Sequence, residues 1–127
     1  MAKVLGVGGV FFKAQDPDAL GGWYARWLKV PARRAEGASF NPADMPRASF
    51  VVWAPFTSTT AYFEPSTQPF MINFVVDDLD GALAQVRSGG ATVIGEIEQH
   101  DYGRFGWFLD PEGNKVELWQ PPVASHA

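Results

Sequence analysis

The sequence predicts an α+β domain built from two βαβββ units, about 1–65 and 66–127, within a single domain of residues 1–127. Three observations predict it. The chain repeats itself at an offset close to half its length, each copy opens with an apolar run followed by a helix pattern, and the second copy continues with three strand-like segments. A helix on one face of each sheet leaves the opposite faces free to curve into a cup, which is where a ligand would bind.

The internal repeat is seen when residue n is placed beside residue n+62. Val10 then aligns with Ile72, Phe12 with Phe74, and Asp16 with Asp78. In both copies an extended apolar run ends at an aspartate, and an amphipathic pattern follows it. Each half therefore opens with a strand and then a helix.

Both helices have start signals in the sequence. Asp16 is the predicted N-cap of the first helix, with Pro17 in its first turn, and Asp78 is the predicted N-cap of the second. Gly89 and Gly90 are expected to end the second helix. Apolar residues recur at three- and four-residue spacings in the first helix: Leu20, Trp23, Tyr24, Trp27 and Leu28. For Trp23 and Trp27 we favour packing in the core or at a dimer contact over ligand stacking.

Strand patterns follow each helix. Residues 48–53 form the predicted strand of the first half, and residues 92–97, 105–109 and 115–120 those of the second. The Asp110-Pro-Glu-Gly-Asn segment is a tight turn, so 105–109 and 115–120 should form a hairpin. Prolines and Gly37 interrupt residues 31–46, and 57–60 is a polar loop, so we expect a degraded version of the same unit in the first half.

Composition excludes several classes of function. Of 127 residues, 46% are hydrophobic and 19% charged, as in a folded domain. The 14 acidic against 10 basic residues argue against nucleic acid as a partner, and the absence of cysteine removes disulfides and thiolate sites. The longest apolar stretch, near 70–76, is far below the ~20 residues of a membrane span, and Met1 leads directly into a strand pattern. We therefore expect no membrane partner and a cytoplasmic location.

An ordered set of motifs resembles one superfamily over essentially the whole chain. The motifs are Tyr102-Gly-Arg-Phe, the Asp110 turn, Val116-Glu-Leu-Trp, Met71-Ile-Asn-Phe and Gly9-Val-Phe-Phe before Asp16. Together they resemble the glyoxalase, bleomycin-resistance and extradiol dioxygenase superfamily, also called vicinal oxygen chelate (VOC) proteins. The resemblance implies paired βαβββ modules, often assembled as homodimers, with a metal or a bound ligand in the cup.

The resemblance also implies where a metal would bind. Metal enzymes of the superfamily use histidine or glutamine on the first strand of each module and a glutamate on the last strand. These positions fall on Gly9, Met71 and Glu117, so only the carboxylate is retained. Because a catalytic metal needs about three protein ligands, we expect neither a metal nor another cofactor.

Histidines elsewhere do not restore the metal set. His126 is the penultimate residue of a tail, and His100 lies in a polar loop beside acidic residues. A surface position is the favoured interpretation of His100. The alternative set of His100, Asp101 and Glu117 would require that loop to fold over the cup.

Strand alternation selects the side chains that face the cup. We expect Phe11 and Trp119 as apolar walls, with Asn73 as a polar point that needs a hydrogen-bond partner. The register of Trp53 and Trp107 is open, and Arg104 is either a carboxylate clamp at the rim or a solvated side chain. The candidate ligand-binding residues are Phe11, Lys13, Trp53, Met71, Asn73, Arg104, Trp107 and Trp119.

Glu117 is the candidate catalytic residue. It is either a general base, or an acceptor for a ligand hydroxyl or amine, or a carboxylate paired with Lys13 or Lys115.

Two classes of function follow. The first is a homodimeric binder of a small organic molecule that uses no metal, and the missing histidines favour it. The second is a lyase, isomerase or dioxygenase-type enzyme that uses Glu117 as a base or metal ligand. A structural subunit with an empty cup is a third interpretation.

Overall fold

The computed structural model describes residues 1–123, so His126 lies outside the described residues. The elements in chain order are α1 (Pro17–Leu28), a short 3-10 turn (Pro42–Asp44), β1 (Ile72–Val75), α2 (Leu79–Ser88), β2 (Thr92–His100), β3 (Gly103–Leu109) and β4 (Lys115–Gln120). The second half therefore forms the predicted strand, helix and three strands. No helix among residues 1–123 is long and apolar enough to cross a bilayer.

The four strands form one mixed sheet in the order β1-β4-β3-β2. β1 pairs with β4 in parallel, and the other two pairs are antiparallel, which confirms the hairpin of β3 and β4. Asn73 and Trp107 are both register partners of Glu117, from the strands on either side of β4. This register places three side chains in one row across the sheet, on the face away from the helices.

Both helices pack on the other face of the sheet. The core contains Leu79, Leu83 and Val86 of α2, Leu20 and Tyr24 of α1, and Phe108, Val116 and Leu118 of the strands. A Cβ atom at Gly106 would lie 2.9 Å from Leu83 Cδ1, so glycine permits the close approach of α2 to β3. This layered arrangement confirms the α+β class and leaves the opposite sheet face open for a site.

The helix caps are those that the sequence predicts. The Asp16 and Asp78 carboxylates accept hydrogen bonds of 3.0 Å from the N–H groups of Ala19 and Gly81, respectively. The indole of Trp23 donates to the Gly89 carbonyl at 2.9 Å, and its ring packs on the core. The aromatic residues of α1 thus join the two helices, which confirms the packing interpretation for Trp23.

The turn between β3 and β4 also connects the two halves. Asp110 accepts hydrogen bonds from the buried Tyr24 hydroxyl at 2.8 Å and from the Asn114 backbone N–H at 3.0 Å. The Glu112 carboxylate accepts the backbone N–H groups of Gln15 at 2.7 Å and Asp16 at 3.0 Å. The Asp-Pro-Glu-Gly-Asn segment is therefore both a hairpin turn and the docking point for the start of α1.

The first half departs from the prediction. Within residues 1–123 the segments 4–12 and 48–53 form no strand, and residues 47–48 lie in a turn, so the predicted strand before α1 and the predicted strand at 48–53 are both wrong for the single chain. Extended backbone becomes a strand only beside a neighbour that completes its hydrogen bonds, and no such neighbour lies next to these segments. Their large apolar side chains point to solvent, with Phe11 98% and Trp53 78% exposed.

Candidate functional site

Glu117, in the middle of β4, is the centre of the open sheet face. Only 9% of it is exposed, and its carboxylate accepts three hydrogen bonds. The donors are Asn73 Nδ2 at 2.6 Å, Trp107 Nε1 at 2.9 Å and the Tyr62 hydroxyl. A carboxylate offers about four lone-pair directions, so most of its capacity is used. The alternation predicted for β1 and β4 is confirmed by the hydrogen bond between Asn73 and Glu117.

Lys115 lies two residues before Glu117 on the same face and is also 9% exposed. Its ammonium donates to the backbone carbonyl of Tyr62 at 2.5 Å and lies 5.2 Å and 5.9 Å from the ring centres of Tyr62 and Trp107. Burial lowers the pKa of Lys115, and neighbouring carboxylates, Glu117 first among them, partly oppose this effect. Because an ammonium has three N–H donors, two remain for another acceptor.

An aromatic wall stands beside these charges. Trp119 is 4% exposed, and its ring stacks on Phe105 across the strand pair with centres 6.1 Å apart and planes within 6°. Phe50 packs edge-on against Trp119 at 4.9 Å. The Trp119 indole donates to the Tyr102 carbonyl at 2.8 Å, which fixes the ring in place. The face therefore carries a buried aromatic cluster next to a buried cation and a buried carboxylate.

Tyr62 completes the site and comes from the first half of the chain. Its hydroxyl donates to Glu117, and its ring packs edge-on against Trp107 with centres 6.4 Å apart. Burial and the adjacent Glu117 carboxylate raise the pKa of the Tyr62 phenol. No sequence pattern points to Tyr62, because it follows a polar loop with no strand or helix periodicity. Its aromatic neighbours, Phe56 and Phe63, are the only local signal.

Most of the chain matches one protein-family profile. A profile of the glyoxalase-like domain matches residues 9–119. The chain belongs to the glyoxalase-like domain family. The resemblance to the VOC superfamily, first drawn from sequence motifs, is thereby confirmed. A comparison with curated proteins finds no match to this glyoxalase-like domain.

Solved structures similar to this glyoxalase-like domain carry related descriptions. A glyoxalase/bleomycin resistance protein/dioxygenase superfamily member from Sphaerobacter thermophilus is 30% identical, with a TM-score of 0.35, over 39% of this chain and 40% of that chain. TnmS3, an antibiotic binding protein from a Streptomyces species, is 31% identical, with a TM-score of 0.38, over 42% of this chain and 45% of that one. The chain thus spans less than half the length of these two relatives.

A third structure is matched over most of both chains. TioX from a Micromonospora species is 19% identical to the glyoxalase-like domain, with a TM-score of 0.48, over 89% of this chain and 94% of that one.

The metal that the superfamily implies does not fit the side chains of this domain. Glu117 is surrounded by N–H and O–H donors rather than by further acceptors, Gly9 offers no side chain, and Met71 offers only a soft thioether. In residues 1–123 no group of three His, Cys, Asp or Glu side chains could hold a metal ion. His100 hydrogen-bonds to Glu98 at 3.2 Å and stacks on Tyr102, so the alternative set with Asp101 and Glu117 is not assembled.

The remaining candidate residues fall into two groups. Asn73, Trp107 and Trp119 lie with Glu117 on the open face, and Met71 is half-buried just before β1. Arg104 is on the helix face, where its guanidinium pairs with Asp80 at 3.0 Å, so the structure places it away from the cup. In the single chain Phe11 and Trp53 are exposed to solvent, as is Lys13, and none of the three joins the site.

Proposed function

We propose that this glyoxalase-like domain binds a small organic molecule in its cup without using a metal. The flat, apolar part of the molecule packs against Trp119 and Phe105, and its polar end meets Glu117, Asn73 and Lys115. The observation that carries the proposal is the juxtaposition of the buried side chains of Lys115 and Glu117 beside a stacked aromatic pair, on the sheet face that the helices leave open. Few polar groups among apolar walls are typical of small-molecule sites.

The hydrogen bonds of Glu117 favour binding over base catalysis. A general base needs a lone pair aimed at the proton it removes. Three donors already engage this carboxylate, and two of them, Asn73 and Trp107, are held by neighbouring strands. A lyase or isomerase that uses Glu117 as its base would therefore first have to displace one of these donors. The arrangement supports a role for Glu117 as a fixed acceptor that orients its neighbours and a ligand donor.

A homodimer is the second part of the proposal. The exposed apolar side chains of segments 4–12 and 48–53, such as Leu5 and Val52, need a cover that the single chain does not supply. We propose that a second copy provides the neighbouring strands, so that residues 1–65 complete their βαβββ module in the dimer. Phe11, Lys13 and Trp53 would then reach a cup through this assembly. A cytoplasmic location remains part of the proposal.

A thermal-shift screen of planar aromatic compounds, in chelator and again with divalent metal, tests this function. We expect some compounds to raise the melting temperature equally in both conditions. Trp119→Ala should weaken their binding by roughly 1–3 kcal/mol, the scale of one aromatic contact surface. The matched control is Leu118→Ala, on the same strand but the helix face, which should lower stability without this loss of affinity. A metal held tightly by Glu117, or unchanged affinity in Trp119→Ala, would contradict the proposal.

A further inference from the structure

Tyr62 contacts both charged side chains of the cup at once. Its hydroxyl donates to Glu117, while its backbone carbonyl accepts a hydrogen bond of 2.5 Å from Lys115. Its ring lies between these two contacts, edge-on to Trp107 and beneath the Lys115 ammonium. Tyr62 thus occupies the three groups that a ligand would use: the Glu117 acceptor, the Lys115 cation and the aromatic surface.

The segment that carries Tyr62 is attached to the sheet mainly through this residue. Within 57–66 the backbone hydrogen bonds are local, such as Thr60 N–H to the Thr57 carbonyl and Glu64 N–H to the Ala61 carbonyl, both at 3.1 Å. In the described part of the chain, the hydrogen bonds from 57–66 to the strands are the two made by Tyr62. Tyr62 is also 40% exposed. It can therefore leave the cup without breaking any strand pairing.

If Tyr62 left the cup, Glu117 and Lys115 would each lose a specific hydrogen-bond partner. Buried charged groups are stable only when their hydrogen-bonding partners are replaced. Glu117 would lose an O–H donor, and Lys115 would lose a carbonyl acceptor. A molecule that replaces Tyr62 contact for contact presents a hydroxyl donor and a carbonyl oxygen on one aromatic frame.

We propose that Tyr62 is a displaceable internal ligand, and that the cup takes an aromatic hydroxyl compound bearing a carbonyl oxygen in its place. The inference rests on the proposed binding function and specifies its ligand class. The closed state of segment 57–66, with Tyr62 in the cup, then competes with the ligand, so the affinity of the wild-type domain is the intrinsic affinity multiplied by the fraction of molecules in which Tyr62 is out.

The test uses N-acetyltyrosinamide, which carries a phenol and carbonyl oxygens, and N-acetylphenylalaninamide, which lacks the hydroxyl. Titration calorimetry measures their binding to the wild-type domain and to Tyr62→Ala. We expect Tyr62→Ala to bind N-acetyltyrosinamide about tenfold more tightly than wild type and to prefer it over the phenylalanine probe. The Trp107 indole N–H resonance should shift on binding. Phe40→Ala, which truncates an exposed aromatic side chain packed on Phe74 at the helix face, is the matched control and should bind both probes as wild type does.

Equal affinity of wild type and Tyr62→Ala, or no preference for the phenolic probe, would overturn the inference. If Tyr62→Ala does not fold, Tyr62→Phe decides, since it keeps the ring but frees the Glu117 acceptor. Tyr62→Phe should bind N-acetyltyrosinamide several-fold more tightly than wild type, and unchanged binding would overturn the inference. If this inference is wrong but compounds from the thermal-shift screen still need Trp119 to bind, the proposed binding function stands.

Discussion

The Tyr24 hydroxyl on α1 donates a buried hydrogen bond of 2.8 Å to Asp110 in the turn between β3 and β4. Asp110 also accepts bonds from Glu112 and Asn114, so it remains partnered when the phenol is removed. Tyr24→Phe should therefore lower the free energy of unfolding by about 1 kcal/mol, measured by urea denaturation. Tyr102→Phe, at an exposed ring, serves as control and should change it little. An equal effect of both would argue against the bond.

Alkaline pH should destabilise the domain through the same phenol. Burial first, and then the Asp110 charge and hydrogen bond, raise the pKa of Tyr24 far above its ordinary value of 10.0. A raised pKa in the folded state gives stability that is fully present below the unfolded pKa and is lost as pH rises above it. Urea midpoints should thus fall above about pH 10. Tyr24→Phe should make this dependence shallower, while the Tyr62 phenol, whose pKa is also raised, keeps part of it, and an unchanged slope would contradict the assignment.

Replacing Glu117 by glutamine separates binding from catalysis. Glu117→Gln keeps one acceptor oxygen but presents an NH2 group to donors that need a lone pair. For a binding protein, ligand affinity measured by calorimetry should fall less than in Trp119→Ala. For an enzyme that uses this base, turnover should be abolished while binding stays nearly intact. Loss of turnover with binding nearly intact would favour the enzyme over the binding protein.

Self-association should depend on the exposed apolar segments of the first half. A charge at Leu5 or Trp53 places a solvated group where a second copy is proposed to pack, so Leu5→Asp and Trp53→Asp should shift a dimer toward monomer. Light scattering at micromolar concentration measures this. Val123→Asp is the control, because Val123 is apolar and 91% exposed but lies outside those segments. A wild-type monomer would rule out the assembly.

Both helices and the hairpin of the second half were predictable because their signals are local. The caps at Asp16 and Asp78, the Gly89 stop and the turn at Asp110 each act within a few residues, and all are present in the structure. The sheet face on which Trp107 lies was not predictable, because it depends on which residue of β4 lies opposite. Tyr62 was missed for a similar reason, since its partners lie more than fifty positions away. Strands at 4–12 and 48–53 require neighbours that local sequence does not specify.

The docking of Glu112 on the start of α1 has a consequence for the order of folding. The bond from Gln15 to Glu112 spans 97 residues, whereas the one from Asn73 to Glu117 spans 44. Closing the longer loop costs more entropy, so we expect the hairpin and its parallel neighbour to form before α1 docks. During synthesis Gln15 is made 97 residues before its anchor Glu112. The apolar face of α1, including Leu20 and Tyr24, therefore stays uncovered until the turn that carries Asp110 and Glu112 has been made.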